Sequence, residues 1–234
     1  MADGGVGDDV QLKAVIFDMD GVLTATDEYH YRSWKKVSDD FGLPFSRNDN
    51  EKLRGLTRRK SLEVLLVGRS IPEKQKRMML KKKNAYFLEF LDNIGPEDML
   101  PGVLALLREL RQAGVRIGVA SSSRNVHPVL GRLGITGFVE AIGDGASVRN
   151  PKPAPDIFLY TACTLRVKPH QSLVLEDSEA GVKAGLAAGM CVVALGRQAR
   201  LSKAHAIFAD LKKVKLIDLV HIYQSWRFEH TLSL

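Results

Sequence analysis

Two aspartates, Asp18 and Asp20, stand one residue apart at the end of the apolar run Ala14-Val15-Ile16-Phe17, and Gly21 follows them at once. Side chains of an extended chain alternate with a period of two, so both carboxylates fall on the same side. Like charges that close need a cation between them or a proton on one of them. A carboxylate can attack phosphorus, and a second one beside it can move the proton of the reacting oxygen. Taken alone, however, Asp-x-Asp-Gly is equally a strand followed by an acidic turn.

Other strand ends give the pair its meaning. The run Val115 to Ala120 ends in Ser121-Ser122-Ser123-Arg124-Asn125. Hydroxyls and backbone amides where a strand leads into a helix suit an anion, although by themselves they also read as a helix cap. Lys152 stands between Pro151 and Pro153, and Leu173-Val174-Leu175 ends in Glu176-Asp177-Ser178, a further pair of carboxylates with a capping residue. Four strand ends thus carry Asp/Asp, Ser, Lys and Glu/Asp. That is the set needed for phosphoryl transfer through a carboxylate nucleophile, with a lysine and a hydroxyl around the transferring group. Hard oxygen ligands favour Mg²⁺ over a softer metal.

The elements that must position these residues alternate. Strands are expected at about 13–18, 115–120, 139–142, 172–175, 191–195 and 206–208, separated by helices at 103–112, 126–133, 156–165 and 178–188, with a closing helix near 216–226. Such alternation predicts an α/β fold, a doubly wound parallel sheet in the Rossmann manner. Residues 27–95 carry no strand signal: Tyr29, Trp34, Val37 and Phe41 recur at helical steps, and Pro72 opens a long helix to Leu91. The expected division is an α/β core of residues 1–26 and 96–234 with an inserted all-helical cap, 27–95, over the C-terminal edge of the sheet.

Composition narrows the function classes. The net charge of the 234 residues is +7, but the excess sits in short helix-compatible runs such as Lys81-Lys82-Lys83 and has no interleaved aromatics. Nucleic acid is therefore not the expected partner; a polyanionic small molecule also accounts for positive potential around a cleft. Cys163 and Cys191 lie in apolar surroundings without metal-site spacing and are both expected as buried thiols. Met1 to Val10 is glycine-rich and acidic, with no apolar stretch of a secretory signal, and no run approaches a membrane span. A cytoplasmic monomer is the expectation.

These four motifs, Phe17-Asp18-Met19-Asp20-Gly21, Ala120-Ser121-Ser122, Lys152-Pro153 and Glu176-Asp177, resemble in order and spacing those of the haloacid dehalogenase superfamily. The resemblance implies that Asp18 becomes an aspartyl-phosphate, that Asp20 is the general acid/base with its carbonyl on Mg²⁺, and that Ser121 and Lys152 hold the phosphoryl group. Asp18, Glu176 and Asp177 would complete the metal site. Within the superfamily, Arg54-Gly55-Leu56-Thr57-Arg58 is similar to the cap loop of the β-phosphoglucomutase family, and Ser123-Arg124-Asn125 to its phosphate-binding loop. Arg58 would then grip a distant phosphate, and Lys83-Asn84 matches the cap lysine and asparagine. Arg replaces the usual Lys at positions 54 and 124, and Ala25 replaces a frequent Asp; none of these removes a catalytic group. His30 either couples Asp20 to cap closure or is a satisfied histidine on a helix face. The implied reaction is Mg²⁺-dependent interconversion of β-D-glucose 1-phosphate and glucose 6-phosphate through the 1,6-bisphosphate. The alternative is a phosphatase for small sugar phosphates.

Overall fold

The structure is a computed structural model and describes residues 11–196 and 201–231, so the opening segment Met1 to Val10 lies outside it. Six strands, β1 (Ala14–Phe17), β2 (Arg116–Ala120), β3 (Ala141–Gly143), β4 (Ser172–Glu176), β5 (Cys191–Leu195) and β6 (Ala206–Phe208), form one sheet in the order β3-β2-β1-β4-β5-β6. Every pairing is parallel. A parallel sheet covered on both faces needs strands that are apolar throughout, which is how Ala-Val-Ile-Phe and Cys-Val-Val-Ala-Leu read.

The period of two divides each strand between two cores. Val15, Phe17, Leu173, Leu175 and Val193 join one cluster, whereas Ala14, Ile16, Val174 and Val192 join the other. Helices α5 (Val103–Gln112), α6 (Val126–Arg132) and α9 (Leu216–Thr231) cover the first face. On the second face lie α7 (Asp156–Thr164) and α8 (Glu179–Ala187).

Between β1 and α5 the chain is helical: α1 (Asp27–Asp40), α2 (Arg47–Glu51), α3 (Arg58–Leu65) and α4 (Glu73–Leu91). Helix α4 buries Met79, Lys83, Phe87 and Leu91, a stripe at steps of four residues. The stripe changes allegiance along its length. Met79 packs with Trp34, Val37, Leu62 and Leu66 in a third apolar cluster, while Phe87 and Leu91 join the sheet core. The two connections to this block lie side by side: Thr24 bridges Met99 in antiparallel fashion, Leu100 N–H donates to the Leu23 carbonyl at 3.0 Å, and the Thr24 hydroxyl donates to the Asp98 carbonyl at 2.9 Å.

Two local expectations are corrected. Cys163 is exposed, because α7 turns Ile157, Phe158, Thr161, Ala162 and Leu165 to the sheet and Cys163 falls on the opposite face; only Cys191 is buried. Strand β3 starts at Ala141 rather than Val139, since Thr136–Phe138 forms a 3₁₀ turn whose first carbonyl accepts the Val139 N–H at 3.2 Å. Among the described residues no helix is long and apolar enough to cross a membrane.

Candidate active site

Strand order reverses at the β1–β4 pair, and ligands of open α/β sheets bind outside the carboxyl ends at such a point. Asp18 follows β1 directly and extends the ladder by one bond, its N–H donating to the Leu175 carbonyl at 2.9 Å. Lys152 ties three strand ends together. Its Nζ donates to Asp18 Oδ1 at 2.7 Å beyond β1, to Glu176 Oε1 at 2.7 Å in β4, and to the Ala120 carbonyl at 3.0 Å in β2. Those three bonds use all its protons. The ammonium is wholly buried, yet the two carboxylates hold its pKa above the usual lysine range. The other Glu176 oxygen accepts from Ser178 N–H at 2.6 Å and from its hydroxyl at 2.9 Å. A Cβ at Gly181 would run into this carboxylate, so the start of α8 has to be bare there.

Asp18, Glu176 and Asp177, all buried, each present an oxygen within 4.8 Å of the others. Burial pushes the Asp18 carboxyl well up against the pull of Lys152, and Glu176, Asp177 and Asp20 push it further. Asp177 is raised to about 7 by burial and by Glu176, with Arg54 opposing. Buried like charges in hard oxygen donors form a set that fits Mg²⁺. Gly21, at φ +88°, turns the chain here, and a Cβ on it would collide with the Asp177 carboxylate.

Asp20 faces the helical block. It accepts from the Thr26 hydroxyl, and His30 Nε2 stands 3.4 Å from its Oδ1. His30 Nδ1 is 2.9 Å from Lys83 Nζ, so a chain of contacts runs from α4 through α1 to Asp20. Burial raises the Asp20 carboxyl, but His30, Thr26 and Lys83 together pull it below its usual value. Burial and Lys83 lower the His30 imidazole despite Asp20. Lys83, enclosed and facing Arg58, drops to about 7.

A second polar cluster joins α3, α4 and the loop after β2. Arg58 Nη2 donates to Asn84 Oδ1 at 2.6 Å, and Asn125 Nδ2 donates to the same oxygen at 3.0 Å. The loop holds itself: Ser121 Oγ accepts from Ser123 N–H, and Ser123 Oγ from Asn125 N–H, both at 3.1 Å. Arg124 faces Arg58 closely enough to depress the Arg58 guanidinium, together with burial. Both clusters line one cavity of about 810 Å³. Of the residues expected from the sequence, all line it except Asn84, which holds Arg58 and Asn125 from behind, and Glu176, which anchors Lys152.

Sequence reasoning missed three participants. Arg54, noted there only for its residue type, pairs with Asp177 and, through Nη1, with Asp27 at 2.6 Å. Thr26 bonds Asp20, and Ser122 Oγ donates to the Gly55 carbonyl at 2.8 Å. An ion pair between residues 123 positions apart has no local signature; a short hydroxyl-bearing residue just ahead of a helix reads simply as a cap, as Thr26 does.

The profile of the haloacid dehalogenase-like hydrolases matches residues 15–195. β-Phosphoglucomutase of Bacillus subtilis is 36% identical over 225 residues, covering 94% of this chain and 100% of the relative. A phosphorylated carbohydrates phosphatase of Thermotoga maritima is 30% identical over 184 residues, covering 76% of this chain and 82% of its own. In three dimensions the chain is similar to a crystal structure of β-phosphoglucomutase from Clostridium difficile, with a TM-score of 0.90 at 34% identity over 93% of this chain and 100% of that one.

Proposed function

The chain belongs to the haloacid dehalogenase-like hydrolase family, as an enzyme of its sugar-phosphate phosphatase and mutase branch, and from that premise we propose that it is a mutase. It would interconvert β-D-glucose 1-phosphate and glucose 6-phosphate through the 1,6-bisphosphate, with the helical block 27–95 as a cap. The observation that carries this reading is the second cluster in the cavity. Hydrolysis of one phosphate needs only the strand-end set, whereas a mutase must also hold a second phosphate while the sugar turns around. Arg58, Ser123, Arg124 and Asn125 offer cations and polar groups for that hold.

In this reading Asp18 attacks phosphorus and becomes an aspartyl-phosphate; Ser121 holds the phosphoryl oxygens, joined by Lys152 as it turns an N–H from the attacking Asp18 to a phosphoryl oxygen. Asp18, Glu176 and Asp177, with the Asp20 carbonyl, would hold Mg²⁺, which when bound screens the charge between nucleophile and phosphate. Asp20 gives a proton to the leaving sugar oxygen and takes one from the incoming hydroxyl. Its lowered carboxyl keeps it ionised and so open to a proton before it donates one, and Thr26 and His30 hold it in place. Ser122–Gly55 and Asn125–Asn84 contacts seat the helices over the sheet edge and support exclusion of water. The phosphatase reading, favoured by the Thermotoga relative, differs in letting water attack the aspartyl-phosphate.

The test follows β-glucose 1-phosphate with Mg²⁺ and a trace of bisphosphate by phosphorus NMR. Glucose 6-phosphate without matching free phosphate supports the mutase. Free phosphate with no isomerised product promotes the phosphatase.

A further inference from the structure

Arg54 lies in the turn between α2 and α3, yet its guanidinium reaches across to the sheet edge. Nη2 takes Asp177 Oδ2, Nη1 takes Asp27 Oδ2 at 2.6 Å, and Glu51 is 3.5 Å away. The Asp177 side chain is 8% exposed and that of Arg54 19%, so this pair is shielded, unlike the exposed Arg132–Asp92 pair that also joins helical block and core. Asp27 and Glu51 belong to the same helical block as Arg54, whereas Asp177 belongs to the carboxylate set that suits a divalent cation. One shielded carboxylate therefore has two cationic claimants, and the attraction of one weakens the hold of the other.

We propose that Arg54 and the divalent cation compete for Asp177, which makes Arg54 a positioning residue that couples metal binding to release of the helical block. The inference rests on the reading of Asp177 as a metal ligand. Without metal, Arg54 clasps the helices to the sheet edge. When metal binds, Asp177 turns to it, and Arg54 swings back on Asp27 and Glu51 and loosens the block for substrate entry. A guanidinium suits this because its rigid fork presents separate nitrogens to Asp27 and Asp177, so either contact can be released while the other is kept.

Titration calorimetry of MgCl₂ into the full chain, without substrate, tests it. Arg54→Met should bind Mg²⁺ about 10-fold more tightly, a shift of roughly 1.4 kcal/mol, with Arg54→Lys, which keeps the charge and guards against a folding failure, in between. Arg59→Met, whose side chain is 80% exposed, controls for net charge and should bind as wild type does. Hydrogen exchange of residues 52–57 should quicken with Mg²⁺ in the wild type and be indifferent to it in Arg54→Met. Equal or weaker Mg²⁺ binding by Arg54→Met, or a gain matched by Arg59→Met, overturns the proposal. Unchanged Mg²⁺ affinity in Asp177→Asn would instead overturn the metal-ligand reading beneath it.

Discussion

The two polar clusters of the cavity are built on opposite principles. At the strand ends, Lys152 is bonded to groups from three neighbouring strands and has no exposed side-chain surface, so its position is that of the sheet itself. Across the cavity, Arg58 is held by one amide oxygen of Asn84, and Lys83 sits against His30 at the edge of losing its proton. A buried ion network must be complete because each charge left over is costly, whereas a cluster poised for an anion keeps charge unspent until the ligand arrives. On the proposed reading, this difference gives bond making to the strand-end frame and substrate selection to the helical side.

That division is open to direct attack. Asp18→Asn removes the nucleophile and should cut turnover by at least about 10⁴-fold in either reading, seen as loss of both glucose 6-phosphate and free phosphate by phosphorus NMR. Lys152→Met strips two buried carboxylates of their cation and should cost about 3–5 kcal/mol of stability, read in urea denaturation; a small loss would mean that the frame is not held by this network. Arg58→Ala should leave the fold intact and raise KM for β-glucose 1-phosphate about 10- to 100-fold, the worth of hydrogen bonds to a charged group, and increase the share of hydrolysis. An unchanged KM would break the assignment of selection to the helical side.

The subtlest effect is the pH dependence of Lys83. Its pKa falls from the ordinary 10.5 to about 7 on folding, so between those values the unfolded chain binds more protons than the folded one. Stability from this group therefore rises with pH through that window, and its cost is fully present below about pH 7. Lys83→Met should flatten the rise and melt higher than wild type on the acid side, as thermal melts in a pH series would report.

Much of this arrangement was legible in the chain, because it depends on local rules. Asp18 and Asp20 stand just past one apolar run, although the strand ends at Phe17 and a turn rather than the strand period places Asp20; Glu176 and Asp177 close another such run, and residues 27–95 lack any strand pattern. What escaped depended mostly on partners distant in sequence, with one local exception. The choice between buried and exposed Cys163 turned on which face α7 gives to the sheet, and the start of β3 on a 3₁₀ turn that outcompeted the ladder.

Periodicity and turn chemistry act within a few residues, and so the number and order of the strands, the helical insertion and the residue types near each strand end follow from the chain alone. That Lys152 saturates its three protons at three strand ends, that Asn84 braces Arg58 from outside the cavity, and that Arg54 crosses from the helices to Asp177 came from the folded chain. Those contacts form because packing brings buried charges within reach of one another, and a buried charge left unpaired is too costly to keep.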